Sequence, residues 1–167
     1  MGDSSLYDDD ILIWSEQQAA ALRSLASRRD LPNELDLANV IEEIEDIGKS
    51  EFHTVESLIE NILVHLLLLW ADPGAPATRG WIAEIAAWDG ALGRRISPSM
   101  RSRLEMAPLW RQAQKVASLK LAVWDEGKSA AVGGLSDSPC PLSAQDFPLA
   151  DTDVQAAVAR IQTAQAS

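Results

Sequence analysis

The stretch from about Ser50 to Trp70 is the feature that most constrains the fold of this chain. Its apolar residues recur every three or four positions, which predicts a helix. They form two adjacent stripes, namely Val55, Leu58, Ile62, His65 and Leu69 beside Ile59, Leu63, Leu66 and Trp70. A helix that is apolar on most sides must be covered by other elements, so this segment is expected at the centre of the fold.

Helical periodicity extends over most of the chain and is divided by turn residues. Helices are predicted at about residues 9–27, 36–48, 50–70, 79–96, 98–105 and 107–126. Asp36 is a candidate N-cap of the second helix. Gly48 either breaks the helix, which separates the second and third predicted helices, or lets another helix approach closely.

The last forty residues lack this regularity. Residues 127–150 contain Gly133-Gly134 and three prolines, which indicates an irregular segment, and residues 151–167 indicate a tail with a weak helix. No alternating strand pattern is present. We therefore predict an all-α fold, a single domain over residues 1–167 built as a bundle of four to five main helices with an irregular C-terminal segment.

Charge is distributed unevenly along this acidic chain. The net charge is -11. Residues 1–60 carry 15 acids and four bases, whereas residues 61–167 carry ten of each. Within the second part, residues 91–128 hold eight bases and three acids. An overall excess of acid argues against nucleic acid as a partner.

The sequence also bears on compartment and redox state. Cys140 is the only cysteine, so an internal disulfide is excluded and a reducing compartment is expected. Nothing near Cys140 would lower its pKa, so a catalytic thiol is not expected. The N-terminus is acidic, unlike a secretory signal, and the longest apolar run is far short of the about 20 residues that cross a bilayer. We expect a soluble, cytoplasmic protein without a membrane partner.

Three sequence blocks resemble a known family. They are Tyr7-Asp8-x-Asp10-Ile11 with Trp14-x-x-Gln17 and Leu22-Arg23; Leu35-Asp36-x-x-Asn39-x-Ile41-Glu42-Glu43-Ile44-Glu45-x-Ile47-Gly48-x-Ser50-Glu51; and His65-Leu66-Leu67 with Trp70, Trp81 and Pro98-Ser99. Together with Cys140-Pro141 they cover about residues 7–141 and are similar to domain-of-unknown-function family 29 of bacterial proteins. The resemblance implies a helical fold and no particular activity.

The sharpest candidate site combines carboxylates of the second predicted helix with a histidine of the third. If these two helices pair antiparallel, Glu42 and Glu45 could reach His65 and ligate a divalent metal or form an acid/base pair. The alternative is that His65, on an apolar stripe, is a core histidine with one hydrogen bond to a carboxylate or carbonyl group. No Glu-x-x-His pair supports the metal interpretation.

Two further residues are candidates for ligand binding. Asp10 and Trp14 are four positions apart on the first predicted helix, and the resemblance, whose motif keeps both residue types, implies that they form an inward-facing pair. The alternative for Asp10 and its acidic neighbours is capping of that helix, which gives favourable contact with its dipole.

Aromatic and basic residues of the second half suggest other surfaces. The six tryptophans are expected mostly in the core, with one or two lining a groove. Trp110 and Trp124 are predicted on the same core-facing side of the last long helix. The basic stretch from Arg94 to Lys128 could bind an anion, pack against the acidic helix or form a solvated face.

These features lead to two functional hypotheses. The first is a non-enzymatic protein-interaction or regulatory module, whose charge polarity would steer a protein partner or drive head-to-tail self-association. The second is a metal- or small-ligand-binding protein, which could include a hydrolase, centred on Glu42, Glu45 and His65. The sequence does not decide whether the protein is an enzyme, and it identifies no cofactor.

Overall fold

The protein is built from helices. The computed structural model describes residues 4–28, 31–32, 34–135, 138–149 and 153–165. Within these ranges there is no strand, and a 3₁₀ turn at Ala144–Asp146 accompanies eight α-helices. The α-helices are α1 Ser4–Asp9, α2 Ile11–Leu25, α3 Leu37–Ala71, α4 Thr78–Gly93, α5 Pro98–Arg103, α6 Met106–Ala122, α7 Glu126–Gly133 and α8 Val154–Gln165. The predicted all-α class is confirmed.

Helix α3 runs without interruption through Gly48. Of the two roles considered for Gly48, the break does not occur, and the two helices predicted on either side of it form one helix of 35 residues. Lys49 Nζ pairs with Asp46 Oδ1 at 3.0 Å across this point. A single glycine costs a helix only about 1 kcal/mol relative to alanine, and the helical residues on both sides offset that cost. At the start of the helix, Asp36 accepts the amide of Asn39 as expected of a cap.

The C-terminal half of α3 is buried. Residues 62–69 are all inaccessible to solvent or nearly so. Among the described helices, α3 alone is long and apolar enough to cross a membrane, but 56% of its most apolar window lies inside the protein. That burial is typical of a core helix, and it agrees with the central position that the sequence predicts for this segment.

The chain groups into two compact units. The first comprises Met1–Val55 and Ile96–Arg103, with α1, α2, the beginning of α3 and α5. In this unit α2 and α3 approach closely at Gly48, where an added Cβ would lie 2.1 Å from Ser15 Oγ and 3.2 Å from Leu12 Cα. Gly48 therefore serves close approach, the second of the two roles considered for it.

The second unit comprises Glu56–Arg95 and Leu104–Ser167. Its core takes side chains from the second part of α3, from α4, α6 and α8, among them Ile85, Trp110 and Ile161. Buried polar groups fix the irregular chain around this core. Gln114 Nε2 donates to the carbonyl of Leu135 at 2.8 Å, and Asp89 Oδ1 accepts the amide of Leu149 at 2.8 Å.

Helix α7 occupies the start of the segment that was predicted to be irregular. Asp125 caps it by accepting the amide of Lys128. The hydroxyl group of Ser118 in α6 donates a hydrogen bond to the backbone carbonyl of Ser129 in α7, and the hydroxyl group of Ser129 donates one to the carbonyl of Ser118, both at 2.9 Å. The predicted irregular segment and tail also include residues 136–137, 150–152 and 166–167, which lie outside the described residues. The single domain expected over residues 1–167 stays a prediction.

Candidate functional site

Asp10 connects two helices of the first unit. It caps α2, since Oδ1 accepts the amide of Ile13 at 3.2 Å. The same carboxylate accepts two hydrogen bonds from Ser99 of α5, one from its hydroxyl group at 2.7 Å and one from its backbone amide at 3.3 Å. Asp10 is buried, and its oxygens are engaged by protein donors. Trp14 is half-buried and packs edge-on against Tyr7, with ring centroids 4.7 Å apart.

The two carboxylates of the predicted metal site lie on the first part of α3. Glu45 forms an ion pair with Arg23 of α2. Glu42 is exposed to solvent. Glu45 lies one turn after the buried Ile41, at the border of the buried side of the helix, which brings it within reach of α2, whereas Glu42 lies further round on the exposed side.

His65 is a buried residue of the second unit. Its side chain has 5% of its surface exposed and packs edge-on against Trp88, with ring centroids 4.7 Å apart. Nδ1 lies 3.0 Å from the carbonyl oxygen of Asn61, and Nε2 lies 2.8 Å from Oε2 of Glu84. Each ring nitrogen therefore faces an acceptor, and the neutral ring, which carries one N–H group, donates to only one of them, as a core histidine with a single hydrogen bond does.

Burial governs the proton affinity of His65. Loss of hydration lowers its pKa below the ordinary value, and the positive charge of Lys120 acts in the same direction. The Asn61 carbonyl and the Glu84 carboxylate oppose this shift, because both accept hydrogen bonds and favour the charged ring. The net effect of the surroundings is a lowered pKa.

The structure does not bring Glu42, Glu45 and His65 together. All three belong to one continuous helix, and 20 residues separate Glu45 from His65. Since a helix rises 1.5 Å per residue, that separation is about 30 Å. The antiparallel pairing that the metal hypothesis required is therefore absent. Within the described ranges, no three His, Cys, Asp or Glu residues form a group that could hold a metal ion.

Cys140 does not have the surroundings of a nucleophile. Burial raises the pKa of its thiol to about 11, and the nearby Arg160 only partly opposes this effect. The thiol therefore stays protonated near neutral pH.

Part of the basic stretch is neutralised by acids within its own unit. Arg103 forms a two-pronged ion pair with Glu16, with distances of 2.5 and 2.9 Å, and this hydrogen bonding lowers the pKa of Glu16. Lys128 lies 2.9 Å from Asp72 and 3.4 Å from Asp125. Arg111 and Lys115 are instead exposed on α6.

An exposed apolar surface lies at the C-terminal end of α6. Leu119, Val123 and Trp124 have 64%, 83% and 52% of their surfaces exposed. Lys115 precedes Leu119 by one helical turn, and Lys120 precedes Trp124 by one turn, so the cations flank the apolar residues. We call this set, Lys115, Leu119, Lys120, Val123 and Trp124, the α6 surface.

The exposed position of Trp124 differs from the buried position that the sequence predicts. It was predicted on the buried face with Trp110, and Trp110 is buried there with Ala113, Ala117 and Leu121. Helix α6 ends at Ala122, however, and its last buried residue is Leu121, so Trp124 lies beyond the covered part of the helix and is exposed. The exposure of Leu119 could have been predicted from the sequence. Leu119 follows Trp110 by nine residues, and at 100° per residue this places it on the opposite side of the helix.

A second exposed apolar face lies on the first part of α3. Val40 and Ile47 are exposed and seven positions apart on one side of the helix. Glu43, Asp46, Ile47, Ser50 and Glu51 line a shallow depression of about 370 Å³. We call Val40 together with Glu43, Asp46, Ile47 and Ser50 the α3 surface.

Comparisons with known proteins agree with the helical fold. A family model described as domain of unknown function DUF29 matches residues 6–127. The chain is also similar to an α-helical protein of unknown function from Rhodospirillum rubrum, whose crystal structure was determined at 1.45 Å resolution. The two are 36% identical with a TM-score of 0.80, over 93% of this chain and 96% of that chain. No curated protein matches the chain.

Proposed function

The chain belongs to the family of domain of unknown function DUF29, and from that premise we propose that it is a non-enzymatic protein-interaction module. The α6 surface is proposed as its docking site. The observation that carries this proposal is the exposure of Leu119, Val123 and Trp124, three large apolar residues close in sequence at the end of one helix.

Keeping these apolar side chains in contact with water is unfavourable in free energy, and a bound partner would remove that contact. Burying a large apolar side chain contributes about 1.5–3 kcal/mol relative to leaving it in water. Single exposed apolar residues are common, whereas adjoining ones with a tryptophan among them are typical of interaction sites. Tryptophan is also enriched among the residues that dominate binding energy.

The charges around this patch define the chemistry of the partner. Helix α6 carries Arg111, Lys115 and Lys120 and no acidic residue. A partner that places carboxylates around an apolar centre would pair with the cations while it covers the apolar residues. The patch is small, so we expect a weak, reversible complex that weakens as salt increases.

Site-specific photocross-linking tests this proposal. A photoreactive amino acid at Leu119 is expected to give a protein adduct in cells of the source organism, and Trp124→Ser in the same chain is expected to reduce that adduct strongly. The same photoreactive residue at the exposed Ala87 of α4 serves as the control. Adducts at Ala87 but not at Leu119, or adducts at Leu119 that are unchanged by Trp124→Ser, would contradict the proposal.

A further inference from the structure

We infer that the partner of the α6 surface is the α3 surface of a second copy of this chain, so that the protein associates with itself head to tail. This inference rests on the proposed function, because it names the partner of the same surface. Trp124 of one copy would enter the depression beside Ile47 of the other.

The depression offers an apolar contact rather than an enclosed pocket. All the residues that line it belong to α3, so an indole ring would lie over Ile47 on the open face of the helix. Ile47 supplies an exposed apolar wall, and Val40 extends the apolar stripe by two helical turns. An indole ring placed there would exchange contact with water for contact with apolar side chains.

The charges of the two surfaces are opposite. Glu43 and Asp46 lie within about one helical turn of Ile47, and Lys120 lies one turn before Trp124. Of the two acids that follow Trp124, Asp125 is paired with Lys128 at 3.4 Å and Glu126 is exposed. When the indole ring lies in the depression, the ammonium group of Lys120 comes close to these carboxylates. Asp46 already pairs with Lys49 at 3.0 Å, so the exposed Glu43 is the principal acceptor for Lys120.

The chain itself supplies the partner that the α6 surface requires. Residues 1–60 hold the whole acidic excess of the molecule, and the α3 surface lies within them. The net charge of -11 opposes the approach of two copies at long range. At about 0.1 M salt the Debye length is about 10 Å, which screens that repulsion while charge pairs in contact keep most of their attraction.

The two surfaces differ, which determines how copies assemble. A contact between unlike patches leaves one unused α6 surface and one unused α3 surface on every pair of copies. Further copies can therefore add until a ring closes. Two single variants that each lose one surface should be unable to associate alone, but able to form one contact when mixed.

Sedimentation velocity of the full chain at about 0.1 M salt tests the inference. The variants are Trp124→Ser and Ile47→Ser, which leave the charge unchanged, with Ala87→Ser as the matched control. We expect concentration-dependent association for the wild type and the control, and monomers for each variant alone. An equal mixture of the two variants is expected to form dimers and nothing larger. Circular dichroism melting of each variant verifies that it is folded.

Each other outcome is informative. A wild type that stays monomeric at all concentrations overturns the inference, and so does association that is lost in both variants but not restored in their mixture. If the wild type is monomeric while Leu119 cross-links to a different protein, the proposed function stands and self-association is overturned. If Leu119 gives no adduct and the wild type is monomeric, both fail.

Discussion

At the scale of single residues, three buried polar side chains each take a partner from within their own unit. Asp10 binds Ser99, His65 contacts Asn61 and Glu84, and Gln114 binds the chain at Leu135. Residue type alone made Asp10 and His65 candidates for ligand binding. Their hydrogen-bond partners, which depend on residues distant in sequence, show what each side chain does in the fold.

His65 should make stability depend on pH. Because its folded pKa is lowered below about 6.5, the unfolded chain binds a proton more readily in the range just below that value. Stability is therefore expected to fall as pH drops below about 6.5, and His65→Gln should remove that part of the decline. Urea unfolding at several pH values measures it.

Ser57→Gln provides the control for this measurement. Ser57 is exposed on the same helix and does not titrate in this range, so the variant should retain the wild-type profile. Parallel profiles for the wild type and His65→Gln would show that burial of His65 does not control the pH dependence.

Asp10 should stabilise the fold through its two attachments. Asp10→Ala removes the cap of α2, at a cost of about 0.5–2 kcal/mol, and also leaves Ser99 without its acceptor. A double-mutant cycle with Ser99→Ala is expected to give a coupling of roughly 0.5 kcal/mol or more in chemical unfolding. Asp9→Ala, at an exposed neighbour, is the control and should have little effect. Additive effects of the two substitutions would contradict the proposed link.

At the scale of helices, the sequence predicted most elements but not how they are joined. Periodicity located α2, α4, α5 and α6 within a few residues, because amphipathic spacing is local information. Gly48 was ambiguous, since the same residue suits a break or a close contact. The close contact depends on Ser15 and Leu12 of α2, which no local pattern could reveal.

The errors at the helix ends have similar causes. Helix α7 was missed because its glycines suggest a loop, whereas the Asp125 cap and the paired contacts of Ser118 and Ser129 stabilise it. Trp124 was placed in the core because its spacing fits α6, yet the helix stops before it. The candidate metal site failed to assemble because it depended on a helix break that does not exist.

The close contact of α2 and α3 gives a prediction at this scale. Gly48→Ala should destabilise the protein by about 1–3 kcal/mol despite the better helix propensity of alanine, because its Cβ would lie 2.1 Å from Ser15 Oγ. Ser15→Ala in the same chain is expected to recover part of this loss. Thermal and chemical unfolding of the single and double variants measures the effect.

Gly80 is the matched control for this prediction. It lies in α4 with nothing within 4 Å of an added Cβ, so Gly80→Ala should be stabilising by about 0.5–1 kcal/mol. A Gly48→Ala variant as stable as Gly80→Ala would show that the two helices have room to separate.

At the scale of the whole molecule, the acidic excess has an energetic consequence. Acids of the first 60 residues outnumber bases by 11, and Glu42 and Asp46 lie one turn apart on α3. Like charges at this spacing oppose helix formation by about 0.2–0.5 kcal/mol per pair. Salt and neutralising substitutions should therefore stabilise this chain.

Thermal unfolding against salt tests this expectation. Between roughly 0.01 and 1 M NaCl, where the Debye length falls from about 30 to 3 Å, the Tm should rise. Glu42→Gln should raise the Tm at low salt and reduce the further gain from salt. Glu126→Gln removes the same charge in the first turn of α7, where acid is favourable, and should give no such gain. A Tm that falls with salt would mean that ion pairs such as Arg103 with Glu16 dominate.

The uninterrupted course of α3 also limits how this protein can be divided. The boundary between the two units falls between Val55 and Glu56, inside the helix, where the Thr54 hydroxyl donates to the Ser50 carbonyl at 2.9 Å. A fragment that ended or began there would deprive about four backbone groups on each side of their helical partners. A cut at this point therefore costs both fragments helical hydrogen bonds, and it also separates the first segment of unit one from its second segment, Ile96–Arg103.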